Sequence, residues 1–265
     1  MRRSTFAEAA VGEGAAALNR AFEDYPVPLT FSSEQLHLHM SYNDVAASLS
    51  PLWYEDDGSF LAAALLAIRG KRGWIGGFGV APSRRGRGVA IQLLEELVST
   101  ARSRGLESIA LEVLAENAPA IAVYQRGGFT VARRLYSFET QMEEPPASLG
   151  FVAVAPQSLI DEPDDVRQCW QRERTTLRNG AVSTGVADSR GNFALFRFNA
   201  ELAQVLKIRA AGPEELTLLA HAVAGGRPFQ TVLILNEPEE SPIARYAREA
   251  GWNESFVQYE MLLQL

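Results

Sequence analysis

A helix-and-strand pattern near residue 121 returns near residue 243. Ile121, Ala122, Tyr124 and Arg126 recur as Ile243, Ala244, Tyr246 and Arg248 at a constant spacing of 122. One inserted residue then shifts the spacing to 123, and Gly128, Phe129 and Tyr136 match Gly251, Trp252 and Tyr259. Self-similarity that runs through a helix into the next strand means one supersecondary arrangement used twice. At 265 residues and 47% apolar content, the chain can fill two cores of ordinary size.

The order of elements repeats as well. The first half predicts helices over Ala7 to Phe22 and Ser33 to Tyr42, separated by the turn-like Tyr25-Pro26-Val27-Pro28. Strands follow near Leu49 to Glu55, Ser59 to Arg69 and Trp74 to Val80. Val89 to Arg104 is the clearest helix, with Val89, Leu93, Leu94, Leu97, Val98 and Ala101 on one face and Gly105 as its stop. A strand at Ser108 to Leu114, a helix opened by Pro119 and a strand at Thr130 to Glu139 complete it. Glu143 to Ser148 has a linker's composition. The second half predicts a helix over Asp164 to Leu177 and strands near Ala181 to Ala187, Phe193 to Asn199 and Glu201 to Ile208. A helix from Pro213 to Val223, a strand from Thr231 to Leu235, a helix from Ile243 to Ala250 and a strand from Ser255 to Leu263 follow. The fold class is α/β (α+β).

Charge narrows the partners. A formal charge of −7 opposes a general nucleic-acid binder, which needs a basic surface. Arg84, Arg85 and Arg87 cluster locally and suit one small anionic ligand. No apolar run is long enough to cross a bilayer. The start lacks a secretory pattern, and the single Cys169 fits a reducing compartment, so a cytoplasmic location is expected.

Chemistry concentrates between the third strand and the long helix, at Arg84-Arg85-Gly86-Arg87-Gly88-Val89-Ala90. Glycines allow several N–H groups to converge where a helix N-terminus adds its positive end, which makes an anion site. In the strand before it, Gly76, Gly77 and Gly79 mark either a bulge or the close approach of a ligand backbone. Downstream, Asn117 stands at a strand exit and Tyr124 in the next helix, where an anchor and a proton donor are available. Taken singly, Asn117 also reads as a helix cap and Tyr124 as a packed aromatic.

Together these residues resemble the GNAT acetyltransferase family. The likeness runs from about Trp74 to Glu139, through Arg85-Gly86-Arg87-Gly88-Val89-Ala90 and the Asn117 to Phe129 segment; before Trp74 only the element order agrees. It implies two tandem GNAT-like domains, each a mostly antiparallel mixed sheet flanked by helices. Residues 1–142 would be catalytic and 150–265 a degenerate copy. It further implies that backbone amides of Arg85, Gly86, Arg87, Gly88, Val89 and Ala90 hold the pyrophosphate of acetyl-coenzyme A. Phe78, Gly79 and Val80 would pair with its pantetheine arm, Asn117 would contact that arm, and Tyr124 would reprotonate the departing thiolate. The reaction implied is direct attack of a primary amine on the thioester, with no metal. The acceptor is expected to be a small molecule, with a protein N-terminus or a non-catalytic acetyl-coenzyme A sensor as rivals.

The amine needs a base. Glu112, twelve residues before Tyr124, is the first candidate, because its spacing resembles that of family branches that acetylate protein N-termini with a glutamate as base; an arginine-paired carboxylate is the alternative reading, and Glu55 is the second candidate. Tyr25, Phe31 and Tyr42 are candidates to line the acceptor pocket, with His37 or His39 beside them. Neither these histidines nor His221 makes a convincing metal pair. In the second copy, Gly212-Pro213-Glu214-Glu215 replaces the arginine-glycine loop, so carboxylates stand where an anion would bind. A repeat supplies within one chain the packing a dimer would give, so a monomer is expected, with a homodimer as the alternative.

Overall fold

The computed structural model describes residues 1–10, 12–27, 29–141, 150–198, 202–225 and 231–265. The linker-like Glu143 to Ser148 and Pro28 lie outside them. Two compact units are present, Met1–Ala132 with Glu260–Leu265, and Arg133–Tyr259. No helix of the described residues is long and apolar enough to cross a membrane.

The first unit contains β1 (Arg2–Thr5), α1 (Glu13–Ala21), α2 (Ser33–Tyr42), β2 (Pro51–Tyr54), β3 (Phe60–Arg69), β4 (Arg72–Val80), α3 (Val89–Ser103), β5 (Ser108–Leu114) and α4 (Ala118–Arg126). Strands β1 to β4 pair antiparallel in sequence, and β5 joins β4 in parallel. Every residue from Leu61 to Ala67 is buried, because α1 and α3 both pack on β3. Alanines at 62, 63, 64 and 67 let helices approach closely, while Leu18 of α1 and Leu93, Leu94 and Leu97 of α3 supply the bulk. Ser32 and Gln35 form a reciprocal capping box that starts α2 where its sequence predicts.

Two expectations for this unit change. Residues 2–5 form a strand the sequence reading lacks, and α1 begins at Glu13 rather than Ala7. The Glu8 carboxylate accepts from the Thr5 N–H at 3.0 Å, which spends these residues on a turn. Glu13 accepts from the Ala10 N–H at 3.2 Å and opens the helix.

The second unit takes β6 (Thr130–Gln141) from Arg133 onward, then β7 (Val152–Val154), the single turn α5 (Arg174–Thr176), β8 (Thr184–Ala187), β9 (Phe193–Phe198), β10 (Leu202–Arg209), α6 (Pro213–Ala224), β11 (Thr231–Pro238), α7 (Pro242–Glu249) and most of β12 (Asn253–Gln264). Strands β7, β8, β9, β10, β11 and β6 lie side by side in that order. Thus β6, which follows α4 in sequence, pairs antiparallel with β11, from Leu135 opposite Pro238 to Gln141 opposite Thr231. Phe138 of β6 enters a core with Phe196, Val205, Leu216, Leu219, Ile234 and Trp252. The last residues of the chain are counted in the first unit, where the Leu265 N–H donates to the Glu107 carbonyl at 3.0 Å.

The helix expected over Asp164 to Leu177 is absent. Its first part is irregular and only short turns follow, at Trp170–Arg172 and Arg174–Thr176. Side chains of β10 hold the approach to this segment instead: Lys207 binds Ile160 O, Glu162 O and the Asp164 carboxylate, and Arg209 binds Pro163 O.

The end of β12 should therefore matter to the first unit. Met261 is 0% exposed, and Met261→Ala should cost about 2–5 kcal/mol by chemical denaturation. Val131→Ala, at a residue 44% exposed, should stay within about 0.5 kcal/mol.

Candidate active site

The site begins with a break in pairing. Leu65 faces Gly77 and Leu66 faces Ile75, so Gly76 is an extra residue in β4, a β-bulge. Pairing of β4 with β5 runs only from Arg72–Ser108 to Ile75–Leu111. Past that rung the strands part. Phe78, Gly79 and Val80 lie on the stretch of β4 that has no partner strand on its β5 side among the described residues, as a paired pantetheine arm would need.

Packing explains the glycines here. A Cβ at Gly76 would lie 2.1 Å from the Trp74 ring, and one at Gly79 would lie 2.7 Å from the Ala21 Cβ. Gly79 is thus needed for the approach of α1.

The loop after β4 has the expected backbone. Gly86 has φ 73° and Gly88 φ 81°, where a side chain is strained, and nothing lies within 4 Å of either Cβ position. Gly88 caps α3 without a side-chain bond, and no acidic residue stands in the first turn. Among the described residues, none accepts a backbone hydrogen bond from Gly86, Arg87, Gly88, Val89 or Ala90. These donors and the helix's positive end fit an anion.

The arginine side chains are used differently. Arg85 Nε donates to Val80 O at 3.2 Å and its Nη2 to Ala21 O at 3.1 Å, so the guanidinium ties the loop to β4 and α1. Arg84 pairs with Glu55 at 2.6 Å, which engages the second candidate base. Arg87 is exposed.

Tyr124, on α4, is 6% exposed and lies edge-on to Phe78, with ring centres 5.6 Å apart. Burial, and after it the neighbouring Tyr25 phenol, push its hydroxyl well above the usual phenol range. It therefore keeps its proton at neutral pH, as an acid must. Asn117 caps α4, its Oδ1 accepting from the Ala120 N–H at 3.2 Å.

The segment between α1 and α2 folds against the same region. Burial pushes the Tyr25 hydroxyl up, opposed by a backbone hydrogen bond with Leu114 at the end of β5. Asn19 binds both backbone groups of Phe31, at 2.8 and 2.9 Å, and so fixes that segment to α1. Phe31 lies 5.6 Å from His39, which lies 6.0 Å from Trp74. Trp74 Nε1 donates to Glu112 Oε2 at 2.6 Å. Tyr42 ends α2, and its carbonyl accepts from Arg69 at 3.3 Å. His37 is exposed. The sequence reading missed the roles of Asn19 and Trp74; Trp74 directly preceding the glycine-rich stretch was the available signal.

Residues 15–129 match the family described as Acetyltransferase (GNAT) family. The first unit carries a GNAT acetyltransferase domain. Over 117 residues the chain is 35% identical to a mycothiol acetyltransferase of Beutenbergia cavernae, a stretch that covers 43% of this chain and 39% of that protein. The chain thus spans well under half of that relative's length. An N-alpha-acetyltransferase 30 of Schizosaccharomyces pombe is 33% identical over 67 residues, 25% of this chain and 45% of that one. In fold, the chain is similar to a tandem GNAT protein from the clavulanic acid biosynthesis pathway, with a TM-score of 0.68, 14% identity and coverage of 99% of this chain and 98% of that one.

The second unit repeats the GNAT domain's break in pairing and fills it. Leu206 is the extra residue of β10, and pairing with β11 runs only from Leu202–Thr231 to Val205–Ile234. Arg172 donates to Leu206 O at 3.0 Å and Leu235 O at 3.3 Å, and forms a buried pair with Glu237. The helix α6 begins with Pro213, Glu214 and Glu215, and the Glu215 carboxylate folds back to 3.3 Å from the Gly212 Cβ position. Both the strand opening and the helix end are thereby occupied by the protein itself.

Calorimetric titration with coenzyme A should show one site per chain, and Gly88→Asp should abolish it in a chain that still unfolds cooperatively. Two equivalent sites, or unchanged affinity in the variant, would contradict the assignment.

Proposed function

We propose that the chain is an N-acetyltransferase that moves an acetyl group from acetyl-coenzyme A to the primary amine of a small molecule, with residues 1–142 catalytic and 150–265 without a cofactor site. The carrying observation is the parting of β4 and β5 beyond Ile75, flanked by the donor-rich end of α3 and by Tyr124. Edge groups of Phe78 to Val80 would hold the pantetheine amides, and N–H groups of Gly86 to Ala90 the pyrophosphate. Bound acetyl-coenzyme A supplies the acetyl group as a thioester and leaves as a thiol. Glu112 takes one proton of the incoming ammonium; Tyr124 gives its proton to the departing sulfur and regains one from the attacking nitrogen as the amide forms. The fixed donors orient the reactants without reorganisation. Arg85 acts as a brace for the loop. A cytoplasmic monomer belongs to the same reading.

Likeness to an N-alpha-acetyltransferase over 67 residues favours a protein N-terminus as a second acceptor class. Tyr25, drawn toward Leu114, and Phe31, clamped by Asn19, favour the small acceptor, since an extended peptide needs an open groove.

An acceptor screen with purified protein and acetyl-coenzyme A, reading free thiol, tests the proposal. Small amines should be turned over and N-terminal peptides should not; binding without turnover of any amine would favour a sensor. With an identified amine, Tyr124→Phe should lower kcat by about 10²-fold, the low end of acid–base contributions, because a thiolate is a tolerable leaving group. Tyr246→Phe should leave the rate unchanged, and the opposite result would reverse the assignment of the two units.

A further inference from the structure

Trp74 and Glu112 meet where the strands part. Trp74 faces Ala110 in the paired stretch, and Glu112 stands two residues along β5, one beyond the last paired residue Leu111. Residues two apart on a strand share a face, so the indole reaches along that face across the opening. The 2.6 Å bond from Nε1 to Oε2 is short for N–H···O, as expected with an ionised acceptor.

The indole has little freedom. Its residue is 1% exposed, and His39 lies 6.0 Å from the ring. The ring occupies the space that a side chain at Gly76 would need, so the glycine makes room for it. A buried Trp N–H needs an acceptor, which a carbonyl or hydroxyl would provide. Using a half-buried carboxylate instead carries a desolvation cost that stability alone does not justify.

We propose that Trp74 is a positioning residue for the acetyl transfer: its N–H holds Oε2 of Glu112 and so fixes the carboxylate just beyond the last rung of β4 and β5. The ammonium gives one proton to the carboxylate, leaving a neutral amine and a carboxylic acid, and the indole keeps its own proton. This rests on Glu112 being the base.

The test is a double-mutant cycle with an identified amine. Trp74→Phe keeps an aromatic ring and removes the donor. It should lower kcat about 10-fold, the scale of a lost hydrogen bond to a charged group, with KM for acetyl-coenzyme A within about 2-fold. In the Glu112→Gln background the same change should have no further effect. Additive losses, or an unchanged kcat in Trp74→Phe, would overturn the proposal. Gly76→Ala displaces the indole without changing either Trp74 or Glu112 chemically, and should reproduce the kcat loss. If both variants lost acetyl-coenzyme A binding, Trp74 would be shown to hold the strands rather than the carboxylate, and the positioning role would fall. An unchanged kcat in Glu112→Gln alone would defeat the base reading itself.

Discussion

Backbone groups that lose a strand partner must find another, and this requirement organises both units. A bulge at Gly76 in β4 and one at Leu206 in β10 each fall directly after the last rung of a parallel pair. Buried N–H and C=O groups are costly when unpaired. In the first unit the β4 edge beyond Ile75 has no partner strand on its β5 side among the described residues. The second gives Leu206 O and Leu235 O to the guanidinium of Arg172, whose charge is balanced by Glu237. An arginine with several donors in a rigid fork suits that task.

The two helix ends follow the same division. An α-helix begins with N–H groups that have no partner within it, and anions satisfy them. At α3 the capping residue is Gly88 in a left-handed conformation, with no carboxylate in the first turn. At α6, Pro213 removes one donor and Glu214 and Glu215 provide the negative charge, Glu215 also pairing with Arg190 at 3.2 Å. One fold therefore gives one helix start without a carboxylate in its first turn and one that supplies its own.

Local sequence made much of the site legible. Positions of α3, β5 and α4 follow from periodicity, a glycine stop and a proline in the first turn, and the loop before α3 from glycines beside a helix start. The partners of the arginines were not legible. Arg85 looks like an anion contact in sequence, yet its guanidinium reaches Ala21 O, 64 residues away. The link between Trp74 and Glu112 spans 38 residues and depends on the register of two strands, which neither strand encodes alone.

What the sequence determined by itself is the repeated order of helices and strands, because amphipathic period, capping and turn residues act over a few positions. It also determined how the two corresponding helices begin, since Gly86 and Gly88 in one and Glu214 and Glu215 in the other act within a single turn. Tertiary structure decided how the strands are shared: β6 pairs with β11, and Glu260–Leu265 is counted with the first unit. Strand patterns specify which face is buried but not which neighbour lies alongside, because main-chain hydrogen bonding is the same for any strand. Only the packing of the assembled cores distinguishes one partner from another.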